Sequence, residues 1–360
     1  MKNKNWDMYR YILESKDGVR HIVDNANSLF TSSLEYLKNK EIDQIYIIGS
    51  GTSYHAAVAA RPVIEKVLEM QVYVSYPIDF KDETIFNKKT LVIGISHAGM
   101  SSSTIQGLDK ARKDGMPTIA VTAEKNTPIL AHGDTNLFID MPIEYAGPKT
   151  KGYICSIATL VILGLKYALQ LGKIKQEEYT DYITRMLSTS DQIPEIAESA
   201  LKWYQKNKKE FLTCRRLYII SYKNCISAML EGTLKISESV RYSTQCYELE
   251  EFMHGIYHSI DSNTFMFYVS PKGEYYDRSK RLKNYFETER NAHCFLITSE
   301  DTENDRDFVY SFKNDPDFSS MEYVVPMQVF ARFCSEDLGI DANIPSDPNF
   351  HKKMESYVFE

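Results

Sequence analysis

The chain has 360 residues, which at about 150 residues per domain predicts two domains, or three. Hydrophobic residues make up 43% of it and charged residues 25%, a composition that excludes a disordered chain, a collagen and a coiled-coil rod. The formal net charge of −7 gives no global electrostatic reason to bind nucleic acid or an anionic membrane, so an anionic ligand would need a local site.

The first half of the chain has the pattern of a parallel α/β sheet. Apolar residues at helical spacing over 6–38 predict one or two helices. Short apolar strands are then predicted at 45–48, 72–74, 90–95, 118–121 and 137–139, with helices at 56–69 and 104–114. Such alternation is typical of a parallel sheet with helices on both faces. Long helical patterns follow at 151–171 and 176–206. Within the first of these, the apolar run 153–165 is shorter than the roughly 18–20 residues of a membrane span and predicts a buried helix.

The strand pattern then repeats in the second half. The segments 45–48, 91–96 and 119–124 reappear as 217–220, 265–270 and 295–300, at offsets of 172, 174 and 176 residues. A proline after a strand, Pro142, is matched with Pro326 at an offset of 184 residues. A period of this length indicates a duplicated domain rather than a solenoid. The pattern therefore predicts two tandem flavodoxin-like α/β domains.

The predicted domain organisation has four parts. These are the N-terminal helices with the first domain (1–174), a connecting helical segment (175–206), the second domain (207–345) and a C-terminal tail (346–360). The first residues lack the apolar core of a signal peptide, and the six cysteines contain no C-x-x-C pair. We therefore expect free thiols, no zinc knuckle and a location in the cytoplasm.

Two hydroxyl-rich loops follow the first and third predicted strands, at 49–53 and 96–104. Ligands of open parallel sheets bind at the carboxyl ends of the strands, where helix N-termini offer unpaired N–H groups. Such loops suit a phosphate without lysine or arginine, although simple N-capping by serine and threonine explains the same residues. Neither loop matches the P-loop or the dinucleotide-binding pattern.

The second half departs from the first in the helical segment that follows its first strand. Glu231, Lys235 and Glu238 follow one another at i, i+4 and i+7 and share one helix face, as either a solvated salt-bridged surface or a catalytic cluster. His254, beside Gly255, is a second catalytic candidate, and its alternative is a surface or capping histidine.

A metal site and a thiol nucleophile are the rival interpretations of this region. Glu250, Glu251, His254 and His258 lie close together in the sequence, but a glycine separates the histidines and the H-E-x-x-H order is missing. No cysteine has a histidine at the spacing of a known nucleophile motif. We therefore expect no metal and no organic cofactor.

At these residues the sequence resembles the sugar isomerase (SIS) family. The segment 51–55 resembles its first phosphate loop, and 230–238 with 251–255 resembles the catalytic stretch of fructosamine-6-phosphate deglycases and of the isomerase half of glucosamine-6-phosphate synthase. The resemblance spans about residues 30–360 as two tandem SIS domains, and the 16-residue spacing from Glu238 to His254 agrees with it.

The resemblance implies a role for each candidate residue. Glu238 would be the proton-transfer base, Lys235 its support, and His254 a ring-opening histidine donated by the neighbouring subunit of a homodimer. The residues that would bind the substrate phosphate lie in the two loops and are Thr52, Ser53, Ser96, His97, Ser101 and Thr104. The residues that would bind the rest of the sugar are Gly51, Gly147 and Glu231. The tail would bring Lys353 to the sugar carbonyl, with Lys352 as the alternative.

Departures from the family pattern bear on the substrate. Ala98 replaces a hydroxyl of the synthase loop, so Ser102, Ser103 or Thr104 would take over phosphate contacts, and the segment 144–153 differs at the sugar-facing wall. We expect no glutaminase domain before the first SIS domain, and hence no internal ammonia source. The function expected is cleavage of a 6-phosphofructosyl or 6-phosphoglucosyl amine. An aldose–ketose isomerase is the alternative, and a noncatalytic sugar-phosphate sensor a third.

Overall fold

The computed structural model describes residues 7–359, and the elements up to the end of the first sheet agree closely with the predicted strands. They are α1 Met8–Asp24, α2 Ala26–Leu29, α3 Thr31–Leu37, β1 Gln44–Ile48, α4 Thr52–Leu68, β2 Gln71–Ser75, α5 Pro77–Asp82, β3 Thr90–Ile95, α6 Ser102–Lys113, β4 Thr118–Thr122 and β5 Thr135–Phe138. Each predicted strand has its counterpart. The first residue of the predicted N-terminal helical stretch, Trp6, lies outside the described residues.

The remaining elements build the second sheet and its helices. They are α7 Lys151–Gln170, α8 Gln176–Ser190, α9 Ile193–Phe211, β6 Arg216–Ser221, α10 Ile226–Ser239, β7 Ser243–Glu248, α11 Leu249–Phe252, β8 Phe265–Val269, α12 Tyr276–Glu289, β9 His293–Thr298, β10 Phe308–Val309, α13 Ser319–Tyr323, α14 Val325–Asp337 and α15 Phe350–Lys353. Short 3-10 turns lie at 128–131, 223–225 and 256–259.

Both sheets have five parallel strands and the same topology. The first has the order β2-β1-β3-β4-β5 and the second β10-β9-β8-β6-β7, which is the same order read from the other edge. Every strand pair that the structure records within residues 7–359 is parallel. This is the flavodoxin-like order, and the predicted fold class of two tandem α/β domains is confirmed.

The chain forms two units that do not follow a simple division along the sequence. Among the described residues, the first-sheet unit comprises 17–144, 151–187 and 345–359, and the second-sheet unit comprises 7–16, 145–150 and 188–344. The start of α1 thus groups with the second sheet and the tail with the first. The connecting segment expected at 175–206 is divided between the two units, with the boundary after residue 187.

Burial explains why the strands could be recognised. All six residues of β3 are buried, as are all five of β4 and β8, because helices cover both faces of each sheet. One face of the first sheet packs Val92 and Ala120 against Phe80, Ile105 and Leu108. In the second-sheet unit, aromatic rings dominate the core, including Trp203, Phe211, Phe267, Phe295 and Phe330.

Helix α7 is long and apolar enough to cross a membrane by length and composition, and it is the one such helix among residues 7–359. In the structure, 89% of its apolar window is buried inside the protein. It packs along α4, where Gly164 lies against Ile64. The predicted burial of 153–165 is therefore confirmed.

The predicted helix boundaries are wrong at three places. Residues 8–37 form three helices rather than one or two, because Asn25 turns its side chain back onto the His21 carbonyl and competes with the helical backbone. The pattern over 176–206 is two helices, and Pro194 opens the second, where a missing N–H costs nothing. Helix α4 begins at Thr52, four residues before its predicted start.

The pairing of Pro142 with Pro326 is also wrong. Pro142 follows β5, as expected, whereas Pro326 lies in the first turn of α14, well beyond the end of β10. Proline is favoured both after strands and in the first turn of helices, so its position alone could not distinguish the two. The three strand pairs of the repeat are confirmed by the two sheet orders.

Candidate functional site

The two hydroxyl-rich loops follow neighbouring strands at the carboxyl edge of the first sheet. Strands β1 and β3 are paired, with Ile48 opposite Gly94, so the loops that leave them start side by side. Gly51 has a φ of +56°, a conformation that glycine adopts without strain, and helix α4 begins at the next residue. Thr52 is half-buried and Ser53 is buried in the first turn of this helix.

The second loop is held together by its own hydroxyls. The Ser101 backbone N–H donates to Ser96 Oγ at 3.3 Å, and Ser101 Oγ accepts from the Thr104 hydroxyl at 3.0 Å. Ser101 is also the N-cap of α6, because its Oγ accepts from the Thr104 backbone N–H. Ser103 Oγ lies 3.3 Å from the same atom.

N-capping thus explains some of the hydroxyl groups that the sequence suggested as ligands of a phosphate. Thr104 is fully buried and both its N–H and its hydroxyl are directed to Ser101, so its visible role is to support the cap. Ser101, Ser102 and Ser103 are half-buried and remain the hydroxyl groups nearest to solvent in this loop. The phosphate role stays a prediction for all six residues of the set, Thr52, Ser53, Ser96, His97, Ser101 and Thr104.

The C-terminal tail binds directly to the second loop, within the same unit. The Ser102 backbone N–H donates to the Ser356 carbonyl at 3.1 Å, and the Val358 N–H donates to the Met100 carbonyl at 2.9 Å. Tyr357 forms an antiparallel bridge with Ser101. One N–H of the first turn of α6 is therefore occupied by the tail itself.

The tail lysines differ in their surroundings. Lys353 Nζ donates to Asp347 Oδ2 at 2.7 Å, and this hydrogen bond is the first cause of the lowered pKa of the Asp347 carboxyl. Lys352 is exposed, and the structure records no ion pair for it within residues 7–359. A role for Lys353 at a sugar carbonyl would require it to leave Asp347, and the choice between the two lysines stays open.

Three residues of the segment 144–153, which the sequence placed at the sugar-facing wall, were given no individual role from the sequence. Glu144 is buried and accepts hydrogen bonds from the N–H groups of Lys151 (3.3 Å) and Gly152 (2.8 Å), so it caps α7. A Cβ on Gly152 would lie 2.6 Å from the His97 ring, which shows how closely that ring packs on α7. Lys151 is the first residue of α7 and is fully buried. A lysine at the start of a long apolar helix is the sequence signal that could have drawn attention to this residue.

On α10 of the second-sheet unit, three charged side chains form one cluster. Lys235 Nζ lies 2.7 Å from Glu238 Oε2 and 3.4 Å from Glu231 Oε1. The side chains of Lys235 and Glu231 are 1% and 0% exposed, whereas that of Glu238 is 40% exposed. The shared face predicted from the spacing is confirmed, and the alternative of a solvated surface is wrong for two of its three members.

This arrangement is chemically unusual for a helix surface. Taking an ammonium and a carboxylate out of water costs several kcal/mol per ion, which a buried pair recovers only in part. A buried lysine held between two carboxylates, one of them accessible, therefore suggests a cluster kept for chemistry rather than for stability. The accessible group is the carboxylate of Glu238.

His254 lies on the surface of the second-sheet unit. It follows the short helix α11, where its backbone N–H donates to the Glu251 carbonyl at 3.0 Å, and Gly255 continues with a φ of +99°. The side chain is exposed. The structure thus leaves the ring accessible to another molecule, while its proposed donation to a neighbouring subunit stays a prediction.

The rival chemistries gain no support. Among residues 7–359, no three His, Cys, Asp or Glu side chains gather where they could hold a metal ion, and Glu250 pairs instead with Arg278 at 2.6 Å. All six cysteines are free, and burial raises the pKa of each thiol, for example to about 11 in Cys334. A thiol whose pKa is raised is a poor nucleophile at neutral pH.

Within residues 7–359, the second sheet has no counterpart of the two hydroxyl-rich loops. Lys223, with a φ of +50°, stands at the position of Gly51, and its ammonium pairs with Glu274 at 2.9 Å, across the two equivalent loops. The equivalent of Ser96 is Ser270, whose hydroxyl is bonded to Ser279 at 2.6 Å. The repeat has therefore diverged at its strand ends, and the two units carry different groups.

Gly147, expected near the sugar, lies in the second-sheet unit. Its backbone N–H donates to Asn343 Oδ1 at 3.0 Å, and a Cβ there would lie 3.0 Å from the Ala342 carbonyl. The residue is thus packed against the segment that follows α14. The sequence indicated nothing about Asn343, because a loop asparagine carries no periodic signal.

Comparisons with known proteins agree with this architecture. Residues 38–165 match the family described as SIS domain. A glutamine–fructose-6-phosphate aminotransferase (isomerizing) of Clostridium tetani is 29% identical over 315 residues, which are 85% of this chain and 51% of that protein. The chain thus spans about half the length of the curated relatives that it matches.

Two solved structures extend the comparison. A candidate phosphosugar isomerase of Clostridium difficile is 29% identical, with a TM-score of 0.91 over 98% of this chain and 99% of that one. A glucosamine-6-phosphate deaminase of Thermotoga maritima has a TM-score of 0.73 at 19% identity, over 94% of this chain and 97% of that one, and so shares the fold alone.

Proposed function

Because the chain contains an SIS (sugar isomerase) domain and has the two-sheet fold of phosphosugar isomerases, we propose that it is an enzyme acting on an amine-bearing hexose 6-phosphate. The reaction would cleave a 6-phosphofructosyl or 6-phosphoglucosyl amine into a hexose 6-phosphate and a free amine. The name of a relative supports the substrate class, since the Clostridium tetani protein is a glutamine–fructose-6-phosphate aminotransferase.

The observation that carries this proposal is the Lys235–Glu238 pair on α10. An accessible carboxylate held 2.7 Å from a buried ammonium is a fixed proton acceptor. A base of this kind serves reactions in which a proton moves between two adjacent carbons. Lys235 does not need to touch the substrate, because its place between Glu231 and Glu238 lets it orient the carboxylate.

The chemistry requires few groups. The Glu238 carboxylate would remove a proton from C1 of the fructosyl amine, and the resulting enaminol would take a proton back at C2. The product is an imine at C1, to which water adds before the amine leaves. Since the substrate contains its own phosphate far from these carbons, an anchor for that phosphate is the second requirement. The loops 51–53 and 96–104 would supply it.

Aldose–ketose isomerisation without loss of an amine is the second candidate. The same base would move a proton between C1 and C2 of an unmodified sugar phosphate. The relatives called isomerizing aminotransferase and phosphosugar isomerase favour it as much as they favour cleavage. A noncatalytic sugar-phosphate sensor is less well supported, because a sensor has no use for a buried lysine beside an accessible carboxylate.

One assay separates these candidates. The whole chain is incubated with a panel of 6-phosphofructosyl and 6-phosphoglucosyl amino acids, and with glucose 6-phosphate and fructose 6-phosphate. We expect release of glucose 6-phosphate and free amine in equal amounts. Interconversion of the unmodified sugar phosphates without amine release would favour the isomerase, and binding without turnover would favour the sensor.

The proposed location is the cytoplasm. The free state of all six cysteines supports it, because disulfides are rare in reducing compartments.

Replacing Ser96 and Ser101 together by alanine tests the phosphate loops. We expect substrate affinity to fall more than tenfold, because each hydrogen bond to a charged group contributes about 1.5–3 kcal/mol. Turnover at saturating substrate should change much less, since these loops would hold the phosphate and not the reacting carbons. The measurement is KM and kcat, together with direct titration of the substrate.

The matched control is Ser270→Ala with Ser279→Ala, which removes the hydroxyl pair that joins the equivalent loop of the second sheet to α12. Because Ser101 caps α6, the test variant should also lose about 0.5–2 kcal/mol of stability, and thermal unfolding would report this separately. Unchanged substrate affinity in the folded test variant would remove the phosphate site from these loops.

The exposure of His254 leads to a prediction about oligomeric state. We propose a homodimer in which this histidine opens the sugar ring in the site of the neighbouring subunit. Glu238→Gln and His254→Ala chains, each inactive alone, should regain partial activity when mixed, because some mixed dimers would contain a site with both native groups. Mixed dimers that form and stay inactive would argue against a shared site.

A further inference from the structure

A second concave region lies at the opposite edge of the first sheet from the hydroxyl-rich loops. Pro117 and Asp134 directly precede β4 and β5, and Lys88 lies two residues before β3, so this region lies where the strands begin. Strands of five or six residues separate the two edges by about 17–20 Å. We call it the basic cleft and define it by Tyr36, Lys40, Glu41, Lys88, Arg112, Lys113 and Asp134.

The basic cleft has the size and charge of a site for a small anion. Its volume is about 640 Å³, within the usual range of roughly 300–1,000 Å³ for ligand pockets. Four cationic side chains line it against two carboxylates, those of Glu41 and Asp134, although the chain as a whole has a net charge of −7. A local positive potential in an acidic protein attracts anionic ligands selectively.

Both carboxylates of the basic cleft already have cationic or hydrogen-bonding partners. Glu41 pairs with Lys89, outside the cleft, at 2.8 Å. Asp134 accepts hydrogen bonds from the Tyr36 hydroxyl (2.7 Å), from Arg112 Nε (3.2 Å) and from the Thr118 backbone N–H (2.9 Å). These contacts fix the guanidinium of Arg112 in place without the help of a ligand.

The lysines of the basic cleft are less engaged. In the part of the chain that the structure describes, no ion pair is recorded for Lys40, Lys88 or Lys113, and Lys40 lies over the Tyr36 ring at 4.9 Å. The charges of Lys88 and Lys113 also act on Asp114, whose pKa is lowered first by its hydrogen bond with Lys110. Two lysines and a fixed arginine therefore converge on one open space.

We propose that the basic cleft binds a small anion that carries two or more phosphate groups, at a site separate from the proposed catalytic residues. One phosphate would be held by Arg112, and a second by Lys88 and Lys113. A single phosphate or sulfate would engage only part of this set and should bind more weakly. The proposal does not depend on the proposed function.

The test uses inorganic pyrophosphate as the probe and the whole chain as the protein. Isothermal titration calorimetry at low salt should show one pyrophosphate bound in the basic cleft, with weaker binding at higher salt because exposed charges are screened. Lys88→Gln with Lys113→Gln should weaken that binding at least tenfold. Titration with ADP in parallel shows whether an organic diphosphate is preferred to the inorganic one.

Two control variants make the result decisive. Lys175→Gln with Lys202→Gln removes the same charge from exposed positions outside the cleft and should leave binding unchanged. Ser96→Ala with Ser101→Ala removes hydroxyls of the other edge and should also leave it unchanged. The proposal is overturned if the native chain binds no pyrophosphate at millimolar concentration, if the Lys88 and Lys113 variant binds it as the native chain does, or if only the serine variant loses binding.

Discussion

Glu238→Gln should lower turnover by about 10²–10⁴-fold while substrate binding survives. Glutamine keeps the shape of glutamate and can still accept a hydrogen bond from Lys235, but it cannot accept the proton that the reaction moves, and this range is the usual contribution of a general acid–base group. The side chain is accessible while its lysine partner is buried, so the substitution changes the reacting group and little else. The measurement is the rate of glucose 6-phosphate release at saturating substrate.

The chain offers a closely matched control on α12. Lys283 is buried and pairs with Glu287 at 2.9 Å, and the glutamate is partly exposed, as in the α10 cluster. Glu287→Gln should cost stability without affecting turnover, because no catalytic role is proposed there. If folded Glu238→Gln retains nearly native turnover, or if Glu287→Gln loses as much, the α10 cluster is an ion pair of structural importance only.

The second large effect concerns the dependence of stability on pH. Glu322, on α13, is fully buried, and its Oε1 accepts from the Lys313 backbone N–H at 3.0 Å. In the part of the chain that the structure describes, its Oε2 has no hydrogen-bond partner. Burial raises the pKa of this carboxyl to about 7, against the opposing effect of the Lys313 and Asn314 amides.

The direction of the effect follows from proton linkage. Between about pH 4.5 and 7 the folded protein holds a proton on Glu322 that the unfolded chain has lost, so stability falls as the pH rises through this window. A pKa raised from 4.5 to about 7 corresponds to about 3 kcal/mol, since each pH unit is about 1.4 kcal/mol. Above pH 7 the full free-energy cost of ionising the buried Glu322 carboxyl lowers the stability of the folded protein, and below pH 4.5 this cost is absent.

Glu322→Gln should therefore gain stability relative to the native chain as the pH rises. The free energy of unfolding, measured by urea denaturation at pH 5 and pH 8, should shift in favour of the variant by about 2–3 kcal/mol between the two. Glu289→Gln, which removes an exposed carboxyl from α12, is the control for the loss of charge. A difference between variant and native chain that is the same at both pH values would mean that Glu322 is not protonated in the folded protein.

Several features of this protein follow from the sequence because they depend on local patterns. A run such as Leu91–Ile95, apolar at every position and followed by a polar loop, allows few structures other than a buried parallel strand. Its repetition 174 residues later then predicts a second sheet. In the same way the i, i+4 and i+7 spacing alone places Glu231, Lys235 and Glu238 on one helix face.

Other features depend on contacts between residues distant in the sequence, and only the tertiary structure decided them. The exposure of each side chain distinguishes the accessible Glu238 from its buried partners. Sequence spacing cannot do this, because a solvated and a buried salt bridge have the same residue spacing on a helix. The docking of the tail on Met100 and Ser102, the cap that Glu144 gives α7, and the isolation of Glu322 have no local signal either. Each depends on which backbone groups the folded chain brings within hydrogen-bonding distance.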